Sequence, residues 1–74
     1  MNQTELYNET SRAFKRLIQD FDKDAQWFFT FQIRAALDRL ENRLTRLYEN
    51  NCLSLKDFKR FDAMLLKRRG YLFK

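Results

Sequence analysis

A single glycine and no proline in 74 residues leave this chain almost none of the residues that punctuate strands with tight turns. An all-β sandwich or barrel needs such turns at short intervals, whereas the abundant Leu, Arg, Lys, Glu, Gln and Ala favour helix. The expected class is therefore all-α. A chain of 74 residues supports one core, so residues 1–74 are read as a single helical domain. Hydrophobic residues make up 45% of the chain, enough to argue against disorder throughout.

Three amphipathic segments are expected. Tyr7, Phe14, Leu17, Ile18 and Phe21 share one face of a helix over about residues 5–21, with Thr4 as its N-cap. Asp20, Asp22 and Asp24 then read as a polar turn or kink, Asp22 or Asp24 capping the next helix. A calcium loop starting at Asp20 fails, because its sixth and twelfth positions are Ala25 and Phe31 rather than Gly and Glu. Over about residues 25–49, Ile33, Leu37, Leu40, Leu44 and Leu47 step by four, three, four and three. That seam suits either the inner stripe of an antiparallel bundle or the centre of a dimer. Asn50-Asn51 supplies a left-handed end.

The third helix, about residues 55–69, starts at Ser54 with Asp57 approximating a capping box, and Leu53 can staple against Phe58. Its inner face is Phe58, Phe61 and Leu65. Gly70 is expected to close it in the left-handed conformation, with Tyr71 folding back onto Leu66. The architecture is thus a small three-helix bundle built on a long central helix, which forms an antiparallel hairpin with the C-terminal helix.

Function classes narrow by elimination. Without histidine, His-ligated zinc and Ser-His or Cys-His nucleophile pairs are excluded. No motif sets a nucleophile beside a base, so the chain is read as non-enzymatic, with neither metal nor cofactor. Cys52 is the one cysteine and has no partner for an internal disulfide. That absence, together with an N-terminus that reads as neither basic nor apolar, gives the expectation of a cytoplasmic protein.

Trp27, Phe28, Phe29 and Phe31 place four aromatics in five residues. On a helix they would fan over about 200° at about 100° per residue, more than one inner stripe absorbs. Either they form the bundle centre, or Trp27 and Phe28 stay outside as protein anchors. An aromatic strand over 27–33 would have no second strand to pair with. The net charge is +5, with basic and acidic residues balanced at eight each through residue 51 and seven against two beyond it. Arg39, Arg43 and Arg46 form a ridge on the central helix, read as lying away from the apolar seam. Lys56, Lys59, Arg60, Lys67, Arg68 and Arg69 extend a basic surface along the third helix. Phosphate binding is one reading of it. Solvated faces with local ion pairs, such as Arg34 with Asp38, are the other, and Lys67, Arg68 and Arg69 also complement the helix dipole. The apolar tail around Phe73 is expected to dock on the core or on a partner, and a membrane-surface role is disfavoured by the interleaved acids.

These features lead to the expectation of a protein-binding accessory, regulatory or inhibitory module whose interface is the Ile33–Leu47 seam (Ile33, Leu37, Leu40, Leu44 and Leu47), joined by Trp27, Phe28 and Phe73, with a homodimer along that seam as one form of it. The alternative is a nucleic-acid-binding module using the basic ridges.

Overall fold

A computed structural model describes residues 2–70 and Leu72. The chain forms α1 (Gln3–Ala25), α2 (Thr30–Glu49) and α3 (Leu55–Gly70), as the periodicity requires. Contacts at matching heights give the directions. Gln3 Nε2 donates to the Asn51 carbonyl, the Phe14 and Phe61 rings lie 4.9 Å apart, and Asp22 meets Arg68. These pairs climb together, so α1 and α3 run parallel. Arg69 reaches Asp38 and Glu41 while Tyr48 stacks on Phe58 at 4.6 Å, so α2 runs antiparallel to α3.

The core is a column of apolar side chains: Phe14, Ile18 and Phe21 from α1, Leu37 and Leu44 from α2, then Leu53, Phe61 and Leu65. No polar side chain is buried among the described residues. The seam of α2 is absorbed here. Leu37 and Leu44 are 0% exposed, and Ile33, Leu40 and Leu47 pack half-buried against them. Its central leucines thus serve as the inner stripe of the bundle, the first of the two roles expected of this seam.

Local signals set most helix ends. Asn51 takes φ 60°, and the bonds from Asn51 N–H to the Tyr48 carbonyl (3.0 Å) and from Cys52 N–H to the Leu47 carbonyl (2.8 Å) make a Schellman end for α2. The Ser54 hydroxyl accepts from Asp57 N–H at 3.2 Å, so α3 starts as expected. Three ends differ. The N-cap of α1 is Asn2, whose Oδ1 accepts from Glu5 N–H at 2.8 Å, while Thr4 lies inside the helix. Gly70 stays helical, with no positive φ. The last turn is tied to both neighbours through Arg68 and Arg69 and does not need a left-handed stop; Tyr71 lies outside the described residues.

The third difference decides the site. Asp20, Asp22 and Asp24 do not form a turn: α1 continues through them to Ala25. Phe21 and Ala25 prolong the apolar face begun by Phe14 and Ile18, and Asp22 is neutralised by Arg68 of α3. Tertiary packing outweighs the poor fit of acids to a helix C-terminus. The reversal is displaced to Gln26–Phe29, and α2 begins at Thr30 rather than Ala25.

Candidate protein-binding surfaces

The α1–α2 connection holds without glycine or proline. Gln26 Nε2 donates to the Lys23 carbonyl, and the N–H groups of Trp27 and Phe28 bond back to Asp24 and Ala25. Phe29 takes the N-cap position of α2 with no side-chain acceptor to offer. The reciprocal half of a capping box remains, because Gln32 Oε1 accepts from Phe29 N–H at 2.8 Å. A polar stretch would serve such a turn, yet this one is aromatic.

Trp27, Phe29 and Phe31 are 79%, 72% and 71% exposed. The rings of Phe29 and Phe31 lie 6.1 Å apart and nearly parallel, at 9°. They cover each other and nothing of the core. Phe28 is half-buried and lines, with Leu17 and Phe21, a groove between α1 and α2. Of the two expected anchors, then, Trp27 is exposed and Phe28 is not. Phe29 and Phe31 join Trp27 as candidates that sequence reasoning left unresolved, because it placed all four on one helix. Phe73 lies outside the described residues; its neighbour Leu72 packs half-buried beside Phe21, Ala25 and Ile33.

The basic residues divide into two groups. On α3, Arg68 grips Asp22 with two bonds of 2.7 Å and also donates to the Met64 carbonyl. Arg69 bridges Asp38 and Glu41 of α2 at 2.6 Å each. Its guanidinium is held above its ordinary pKa chiefly by the Asp38 hydrogen bond, with Glu41 adding to the effect and burial opposing it. Arg60 donates to the Ser11 hydroxyl, pairs with Asp57 at 3.3 Å and lies 4.8 Å over the Phe61 ring. These three arginines brace the fold, which accounts for part of the charge gathered in the last third of the chain. The expected partner of Arg34, Asp38, is engaged by Arg69.

On α2 the picture reverses. Arg39, Arg43 and Arg46 are exposed and make no ion pair or side-chain hydrogen bond among the described residues. They do not lie opposite the apolar stripe as expected. Leu47 and Leu40 are the half-buried edge of that stripe, and the arginines border it, sharing depressions with both. Lys56, Lys59 and Lys67 are exposed along α3, apart from this row.

Cys52 is half-buried, with its thiol 3.6 Å from the Asn50 carbonyl. Among the described residues no helix is long and apolar enough to cross a membrane, and no cluster of three or more Cys, Asp or Glu is placed to hold a metal ion. No protein-family model, curated protein or solved structure matches the chain. Its function is therefore argued from these surfaces.

Proposed function

We propose that this chain is a non-enzymatic protein-binding module, an accessory or regulatory protein of the cytoplasm, whose primary contact is the aromatic tip formed by Trp27, Phe29 and Phe31. The supporting observation is that three large aromatics, each more than 70% exposed, share one short stretch of chain. Aromatic side chains carry a large hydrophobic payload and dominate interface energetics when desolvated. A tip of this kind lowers solubility and adds nothing to the core, and a binding role accounts for it. A lone free cysteine suits a reducing compartment.

Site-specific photo-crosslinking in the producing cell tests this. A benzoylphenylalanine at position 29 or 31 is expected to yield discrete protein adducts that the same probe at Gln19 or Lys59, both exposed, does not. Adducts independent of position, or adducts with nucleic acid alone, would refute it.

A second reading, nucleic-acid binding, draws support from the row Arg39, Arg43 and Arg46, which is unpaired among the described residues. Arg60, Arg68 and Arg69, already bonded within the chain, contribute less to it. It requires affinity that falls steeply with salt and that is lost on charge reversal at Arg43.

A further inference from the structure

The three helices do not close evenly, since α2 packs more closely on α3 than on α1. On the side away from α3, the loosely packed pair leaves a trough. It consists of three depressions that share Arg43 and are linked through Leu17, Arg39 and Leu47. Along α2 it runs from Ala36 to Asn50, which at 1.5 Å per residue is about 21 Å, or roughly four helical turns. Its floor is apolar, with Leu17, Phe28, Ala36 and Leu40. One wall carries Arg39, Arg43 and Arg46; the α1 wall offers Thr10 and Ala13 between Glu9 at one end and Asp24 at the other.

We propose that this trough takes an amphipathic helix of a partner protein, apolar toward the floor and acidic along the flank that faces Arg39, Arg43 and Arg46. The proposal rests on the protein-binding reading and gives it a second surface, distinct from the aromatic tip. Length, floor and charge each select this occupant. A trough walled by α1 and α2 from Ala36 to Leu47 and continued along α2 alone to Asn50 matches a third helix laid against them, a recurrent mode of peptide recognition. Three arginines without partners among the described residues are complementary to carboxylates at helical spacing. A second copy fits less well: each copy brings three arginines against Glu9 and Asp24, so a self-paired trough stays net positive. A phosphate backbone would meet the arginines but would lay charge across Leu17, Phe28 and Leu40.

The test is a selection from a displayed library of four-turn helical peptides against the full chain at physiological salt. The enriched peptides are then mapped by chemical-shift changes. Enrichment is expected for Leu or Phe at every third and fourth position with Asp or Glu along one flank, with shifts centred on Leu17, Ala36 and Leu40. The Arg39→Glu, Arg43→Glu double variant, altering only exposed side chains, should weaken these peptides about tenfold or more and favour Lys-flanked versions. Gln19→Ala, at an exposed position of α1 that does not line the trough, should leave their affinity unchanged. The proposal is overturned by enrichment without acidic bias, by no enrichment, or by shifts that map elsewhere. Displacement of the peptides by an oligonucleotide of equal charge, or trough shifts that grow with protein concentration alone, would likewise overturn it in favour of nucleic acid or a second copy. Any of these outcomes with tip crosslinks intact removes the trough and leaves the protein-binding reading standing on the tip; loss of the tip crosslinks alone removes the tip and leaves that reading standing on the trough.

Discussion

Replacing Phe31 by Ala and Phe61 by Ala makes the same chemical change at two sites that differ only in surroundings. Phe61 is 1% exposed, lies against Phe14 and carries Arg60 over its face. Truncating a buried phenylalanine loses its transfer free energy and leaves a cavity, at a cost of about 3–5 kcal/mol. A domain of this length has roughly 4–11 kcal/mol in all, at about 0.05–0.15 kcal/mol per residue. Phe61→Ala therefore removes much of the stability. Phe31 is 71% exposed in the first turn of α2. Its truncation loses a stacked contact with Phe29, about 0.5–1 kcal/mol, and recovers about 0.5 kcal/mol of helix propensity. The net change should lie within about 0.5 kcal/mol. Urea unfolding followed by far-UV circular dichroism separates the two, because Trp27 is exposed in the folded state and its fluorescence is a weak reporter. With a slope of about 1 kcal/mol per molar for a small domain, the midpoint should fall by about 3 M or more for Phe61→Ala. For Phe31→Ala it should move by less than about 0.5 M. If Phe61→Ala is unfolded outright, Phe61→Leu keeps the comparison measurable. Comparable losses at the two sites would mean that Phe31 is packed in solution, and the tip would lose its standing as a binding surface.

Other perturbations test the frame that holds these surfaces. In a thermal melt, Asn51→Val should cost about 1–2 kcal/mol, because its φ of 60° disfavours a β-branched side chain; Asn51→Gly should be neutral or slightly stabilising. Ser54→Ala, which removes the acceptor for Asp57 N–H, should cost about 1 kcal/mol, read as a lowered melting temperature. For Arg69 and Asp38, a double-mutant cycle of Arg69→Met with Asp38→Asn should give a coupling below about 1 kcal/mol, since Asp38 is 58% exposed and solvent screens the pair. The sign of the arginine shift fixes its pH dependence. A folded-state pKa raised above the unfolded value gives stabilisation that is fully present below the unfolded value and is lost only as pH rises through the folded one. The coupling should thus be flat from neutral to mildly alkaline pH, and a decline across that window would contradict the assignment.

What could be read from the chain, and what could not, follows from the range of the interactions involved. The inner faces were legible because burial imposes a helical period on Phe14, Ile18 and Phe21, on Leu37 and Leu44, and on Phe61 and Leu65. The end of α2 and the start of α3 were legible because Asn51 and Ser54 act within a few residues of themselves. The α1–α2 boundary was not. Three aspartates resemble a turn until Arg68, 46 residues away, is placed beside Asp22. The true boundary lacked glycine and proline, and its best local mark was Gln32, three residues after a phenylalanine that cannot cap through its side chain. Shifting that boundary moved Trp27 off a helix and onto a tip. The arginines were misjudged in the same way, since charge can be counted in a sequence but partners 28 to 49 residues away cannot. Arg60, Arg68 and Arg69 are spent on the fold, whereas Arg39, Arg43 and Arg46 are left over.

That division bears on how a partner would be felt through the structure. The molecule extends 41 Å by 18 Å by 15 Å, an elongated shape in which α1 packs less closely on α2 than α3 does and meets α3 through Phe14 on Phe61 and Asp22 on Arg68. The amides of α1 facing the trough should exchange with solvent sooner than those of α2 and α3, because local opening free energy follows packing. A helix seated in the trough would supply the missing neighbour. At a concentration one hundred times its dissociation constant, any ligand of the folded state adds about 2.7 kcal/mol, or roughly 11–22 °C in melting temperature at about 4–8 °C per kcal/mol. That rise alone does not identify the surface, since a partner on the tip produces the same one. Hydrogen exchange does identify it. A trough-bound helix should slow exchange along α1 from Thr10 to Asp24, whereas a tip-bound partner should protect Gln26 to Phe31 beyond the general stabilisation. Protection confined to α3 would fit neither surface and would direct attention to Lys56, Lys59 and Lys67.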